Sequence, residues 1–292
     1  MPIPSSVEHA RPVADQARRL LAFLQYSNLH IVVVALGLLS GTSTLFGTGF
    51  SVPVVLAGCC GAFLLYQLDR GWLPGKEDGA NQPERVAWIA RHHMYVWSSC
   101  AFALLAGLIG TAFLSGAALL AGALLAGCGF AYVLPLRKRL KRIWYVKPVA
   151  IAGAWALGGV ALPLVEMNFA MAPVVLIFLG YRFFFILPNV LLADWQDRLG
   201  DEQAGLHSLA MLVDERMLRL MAAGSALVAI MLGGWCGVLL GWSALFFIDL
   251  AGPLLMLLLC LRPLHASYLV YGLLLDLLVA WPLITTLLVY NW

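Results

Sequence analysis

The chain has 292 residues, of which 62% are hydrophobic and 11% charged, with a formal net charge of +3. A water-soluble domain carries roughly 25% charged residues. Together with a mean hydropathy of +0.89, that shortage excludes a globular protein in water and makes lipid the solvent for most of the chain; no nucleic-acid partner is expected.

Residues 1–20 are polar and read as a short cytoplasmic N-terminal arm rather than a cleavable signal. A single transmembrane domain is expected over 21–292. Nine apolar segments can be traced, at roughly 22–46, 50–69, 95–115, 117–135, 147–166, 171–193, 217–240, 243–261 and 267–290. The expected fold class is all-α, a polytopic membrane protein of about nine helices. Internal prolines such as Pro53, Pro163, Pro188, Pro253 and Pro282 do not argue against spanning. The six cysteines all lie inside apolar segments, without CxxC or zinc-site spacing, and read as small apolar residues.

Basic residues set the expected orientation. Arg11, Arg18 and Arg19 precede the first segment; Arg70, Lys76, Arg85 and Arg91 lie between the second and third. Arg137, Lys138, Arg139, Lys141, Arg142 and Lys147 lie between the fourth and fifth, Arg198, Arg216 and Arg219 between the sixth and seventh, and Arg262 between the eighth and ninth. The intervening loops carry no Lys or Arg. The positive-inside rule then makes the N-terminus and every basic loop cytoplasmic. The longest loops fall on that side, so chemistry on a polar substrate is expected there. The expected membrane for such a chain is the bacterial inner membrane.

Carboxylates are scarce in membrane proteins, and their positions are informative. Of fifteen Asp and Glu, seven gather after two segments: Asp69, Glu77 and Asp78 after the second, and Asp194, Asp197, Asp201 and Glu202 after the sixth. Residues 194, 197 and 201 stand at i, i+3 and i+7, on one helical face. Like charges on one face repel, and a divalent cation relieves the repulsion. Mg²⁺ favours one or two carboxylates together with waters and substrate phosphates. Solvated helix-end acids are the plain alternative, which applies best to Asp201, Glu202, Asp214 or Glu215 taken alone.

The stretch NVLLADWQDRLGDEQAGLHSLAMLV (189–213) resembles the second aspartate-rich motif of the UbiA-type intramembrane prenyltransferases, D-x-x-D-x-x-G-D-x-x-x-G-x-x-[ST]-L. Asp194, Asp197, Gly200, Asp201, Gly205, Ser208 and Leu209 match in register, and Asn189 stands where a polar residue is common. The loop YVLPLRKRLKRIWYVK is similar to the basic loop of that family. LLYQLDRGWLPGKEDGANQPERVAWIARH is similar to a variant of its first motif, Y-x-x-D-R followed by E-D and N-x-P-E-R. The usual first motif, N-x-x-x-D-x-x-x-D, is not met: around Asp69 the flanking positions are Leu65 and Leu73.

The resemblance implies a central cavity open to the cytoplasmic face and Mg²⁺-dependent transfer of an isoprenyl group from an isoprenyl diphosphate to a lipophilic, aromatic acceptor, with membrane lipid around it. It implies Asp194, Asp197 and Asp201 as ligands of one Mg²⁺, and Asp69 with Asp78 as ligands of a second. Asp69, Asp197 and Asp201 are thereby the catalytic candidates. Lys147, with Arg137 and Arg142, is implied at the diphosphate; Tyr66, Asn189 and Arg182 are further substrate-binding candidates. The basic loop equally serves topology and anionic lipid. Arg182 lies ~18 Å along the helix before Asp194 and needs a partner, with Asp249 and Asp276 available; an ion pair between helices is the simpler role. Three other readings stay open: a terpene cyclase using the same site, a non-catalytic relative serving as a lipid-binding or assembly subunit, and a transporter with a path marked by Arg182, Asp249 and Asp276. The acceptor, the prenyl length and the oligomeric state are not legible in the residues.

Overall fold

The computed structural model describes residues 7–72, 76–133, 144–169, 173–205, 208–263 and 268–290. Among them every regular element is helical. Six helices are long and apolar enough to cross a bilayer. In our numbering these include α3 (Val52–Gln67, continued by a π-helical turn, Leu68–Trp72), α6 (His93–Thr111) and α7 (Gly116–Val133). The others are α8 (Val146–Glu166), α9 (Pro173–Gln203) and α11 (Glu215–Leu240).

The remaining apolar segments are shorter or broken. The first expected span is a bent pair, α1 (Val7–Tyr26) and α2 (Leu29–Leu45), turning by 69°. The last is a second bent pair, α13 (Tyr268–Val279) and α14 (Pro282–Tyr290), turning by 51°. Helix α12 (Ala244–Cys260) has only 17 residues, about 25 Å of rise and near the lower limit for a span. The nine-segment reading therefore survives as an approximate count, and the chain is an integral membrane protein. Three short helices lie between the long ones: α4 (Lys76–Asn81), α5 (Pro83–Arg91) and α10 (Leu209–Leu212).

Each break has a local cause. At the first, Asn28 takes a left-handed conformation, φ 60°. The interruption frees backbone groups that lipid cannot satisfy. Gln67 supplies the remedy from α3: its Nε2 donates to the Ser27 carbonyl at 2.9 Å, and its Oε1 accepts from Asn28 Nδ2 at 3.3 Å. Gln67, Ser27 and Asn28 are all buried. At the second break Pro282 opens α14 without a backbone donor, as proline does at a helix start.

Helix α9 runs through the middle of the bundle, packed against α8, α11, α12 and α13. Its contact with α11 uses small residues, since Ala222, Ala226, Ala229 and Gly233 of α11 are buried on one face. Ser225 donates across this contact to the Phe184 carbonyl at 2.9 Å. Helix α2 packs on α3, α8, α13 and α14. The outer wall is apolar and exposed, as at Phe102, Leu120, Met231 and Val238, a surface suited to lipid. Between α2, α3, α8, α9 and α13 the helices leave a hollow.

Candidate active site

That hollow has two chambers. The polar one, about 110 Å³, is lined by residues that include Gln25, Arg70, Gln82, Lys147, Asp194, Gln196 and Asp197. The smaller one, about 30 Å³, is apolar and aromatic, with Ile31, Val34, Trp155, Ile186 and Val279 in its wall. Tyr66, Ile151, Asn189, Val190 and Asp276 line both and form the neck between them. The polar chamber has room for several water-sized groups.

The acidic ridge is where the motif spacing puts it, on the last turns of α9. Asp194 and Asp201 are 2% exposed, and a cation holds them together. Lys147, from the first turn of α8, places Nζ 2.6 Å from Asp194 Oδ1 and 3.3 Å from Asp201 Oδ2. The like-charge repulsion expected on this face is thus relieved by a side chain of the protein itself. Asp194 and Asp197 open onto the chamber; Asp201 is not among its described lining residues.

Two motif glycines have structural reasons. The Gly200 N–H donates to Asn81 Oδ1 at 2.9 Å, and Asn81 fills the space a Cβ on residue 200 would need. Gly200 therefore lets α4 dock on the end of α9. Gly205 adopts φ +68°, the left-handed conformation in which glycine ends a helix without steric cost. We expect Gly200→Ala to cost about 1–3 kcal/mol by overpacking, read as a lowered melting temperature in detergent. Adding Asn81→Ala to that variant should recover part of the loss.

The α3 side differs from expectation. Asp69 lies in the π-helical turn, and it is the next residue, Arg70, that lines the polar chamber. Asp78 is engaged by Arg85 at 2.6 Å. Leu65, at the first position of the usual motif, packs against α7, its side chain filling the space over Gly129. Among the described residues no three His, Cys, Asp or Glu come together as a metal-binding group. The donor set at the end of α9 fits Mg²⁺, which needs only one or two carboxylates when phosphate oxygens complete its shell. Among the described lining residues the α3 end offers the chamber no carboxylate for a second ion.

Other candidates divide. Tyr66 and Asn189 stand at the neck; the Tyr66 hydroxyl accepts from Trp155 Nε1 at 3.1 Å, and the Arg70 guanidinium lies 4.8 Å from the Tyr66 ring centroid. Arg182 is not among the residues lining either chamber. It is fully buried in an ion pair with Asp249, with Nη1–Oδ2 and Nη2–Oδ1 both at 3.0 Å. Tyr181 donates to the same carboxylate at 2.6 Å. Arg182 therefore joins α9 to α12. Arg137 and Arg142 lie outside the described residues.

Sequence reasoning overlooked His30. It begins α2 just past the break, is 1% exposed, and places Nε2 3.2 Å from Asp276 Oδ2. Its Nδ1 lies 3.0 Å from the Leu24 carbonyl oxygen. A carbonyl only accepts, so Nδ1 carries a hydrogen. Nε2 then faces the Asp276 carboxylate. Asn189 Nδ2 donates to Asp276 Oδ1 at 3.0 Å and fixes the carboxylate at the neck. An ionisable residue inside an apolar run was the available signal.

Comparison with known proteins bears on the fold. No family model and no curated protein matches the chain. Solved structures do. An apo UbiA homologue from Aeropyrum pernix K1 is 14% identical with a TM-score of 0.64, over 91% of this chain and 98% of that one. A UbiA homologue from Archaeoglobus fulgidus bound to GPP and Mg²⁺ is 16% identical with a TM-score of 0.56, over 91% of this chain and 99% of that one. The same homologue bound to DMAPP and Mg²⁺ is 13% identical with a TM-score of 0.57, over 90% and 98%. The chain has the fold of the UbiA homologues, the intramembrane helical fold its aspartate motif resembles.

Proposed function

We propose that the protein is a UbiA-type prenyltransferase that moves an isoprenyl group from its diphosphate to a lipophilic, aromatic acceptor, at the cytoplasmic face of the membrane. The observation that carries this reading is the two-chamber hollow: a charged chamber walled by the α9 acids and by Lys147 and Arg70, joined through a neck to an apolar one. An isoprenyl diphosphate has the same division, an anionic head on a hydrocarbon tail. Its C1–O bond lies between the two, at the neck.

In this mechanism Lys147 draws the diphosphate into the polar chamber. Where Mg²⁺ is bound, Asp194 and Asp197 would hold it, and it supplies charge neutralisation to the leaving diphosphate. The C1–O bond breaks with its electron pair going to the diphosphate. The rings of Tyr66 and Trp155 face the allylic carbon and the apolar wall keeps water from it. The acceptor ring bonds to C1 and loses one proton. Asp276, held by Asn189 and backed by His30, stands at the neck to receive that proton.

Purified protein in detergent, given Mg²⁺ and radiolabelled farnesyl diphosphate, is expected to release diphosphate. Retention of intact label with no release would favour a binding subunit instead. Release accompanied by a cyclic hydrocarbon, with no transfer to added phenolic lipids, would assign cyclisation.

A further inference from the structure

We propose that Arg70 takes the part a first metal ion would otherwise play, gripping the diphosphate directly from the α3 side, opposite the carboxylates of α9. The inference rests on the reading of the polar chamber as a diphosphate site and goes beyond it in naming which group holds the far side of the anion.

Three observations carry it. The first is placement. Helix α3 ends in the π-helical turn Leu68–Trp72, and single π turns recur at functional sites. Here Arg70 comes to lie over the Tyr66 ring, and both line the chamber, while Asp69 is not among its described lining residues. The aromatic face attracts the guanidinium and steadies it there.

The second is the donor set. A metal on the α3 side needs oxygen ligands there. Leu65 is turned to α7, and Asp78 is bound to Arg85 at 2.6 Å. What α3 and its turn offer the chamber is a phenol and a guanidinium.

The third is charge. Asp194, Asp197 and Asp276 are the described acids of the chamber wall, and Lys147 already bridges Asp194 and Asp201. A diphosphate entering this wall adds further negative charge, and the cation it meets on the opposite side is Arg70. A guanidinium fork matches two phosphate oxygens at once, which an ammonium cannot do. The site then combines one carboxylate face for a metal with one fixed organic cation.

The test is calorimetric binding of farnesyl thiodiphosphate, an unreactive analogue, to the full chain in detergent, with EDTA and separately with Mg²⁺. Wild type is expected to keep measurable affinity in EDTA. Arg70→Gln should weaken binding about tenfold or more in both conditions, the scale of a lost charge-assisted contact. Arg70→Lys should recover only part of that loss. Asp69→Asn should bind at least about tenfold more tightly than Arg70→Gln in EDTA. Thermal melts of each variant separate lost binding from lost folding, and Arg70→Lys, which keeps the charge, serves if Arg70→Gln does not fold. If Arg70→Gln binds like wild type, or wild type binds only with Mg²⁺ and Asp69→Asn abolishes it, the proposal is overturned while the diphosphate reading stands. If folded wild type binds the analogue in neither condition, the diphosphate reading itself fails.

Discussion

Asp249→Leu, with Arg182 left in place, is expected to destabilise the protein by about 3–5 kcal/mol, the cost of stranding a buried charge. Both partners are fully buried, and the guanidinium makes two 3.0 Å contacts with the carboxylate. Removing the acid leaves a cation between α9 and α12 with only the Phe178 and Tyr181 rings, each 4.8 Å away, to balance it. It also takes from the Tyr181 hydroxyl its acceptor at 2.6 Å. Thermal unfolding in detergent measures the loss. The double variant Arg182→Met/Asp249→Leu should recover most of it, since two apolar side chains of similar size need no pairing there. A double variant no more stable than the single would mean that the pair itself contributes strongly to stability. Because neither residue lines the chambers, the double variant should retain most diphosphate release.

Asp197→Ala is expected to lower diphosphate release by about 10²–10³-fold, the usual range for removing one preorganised group that stabilises developing charge. Asp197 opens on the polar chamber from α9, and neither of the two Lys147 contacts involves it. Its loss should therefore leave the Lys147 bridge to Asp194 and Asp201 in place. Asp194→Ala differs in a way that can be measured. It removes a chamber carboxylate and also a 2.6 Å partner of Lys147, so it should reduce both release and stability. Equal release by Asp197→Ala and wild type would remove the α9 ridge from the chemistry.

The α9 motif was legible because its parts act through one helix. A spacing of i, i+3 and i+7 fixes a face whatever surrounds it, and the structure keeps that face toward the hollow at Asp194 and Asp197. The first motif was not legible in the same way. Of residues 69 and 70 it is Arg70 that is among the described residues lining the chamber, and no pattern of apolar residues announces which of two neighbours at a helix end will do so. The two buried pairs were half visible. Arg182, Asp249 and Asp276 were conspicuous as charges in apolar segments. Their pairing, Arg182 with Asp249 and Asp276 with His30 and Asn189, depended on which helices pack side by side.

From its residues alone the chain had to be a bundle of apolar helices, because a composition with so little charge cannot face water and backbone groups in lipid must bond within their own helix. The same residues set the acids of α9 on one face, a matter of helical period. Tertiary structure decided what those acids meet. Lys147 reaches them from 47 positions earlier than Asp194, Asn81 docks at Gly200 from within the α3–α6 connection, and Arg70 comes from the end of α3. The reason is that a helix determines neighbours only three or four residues away, while a site in a bundle is made of side chains whose distance along the chain says nothing about their distance in space.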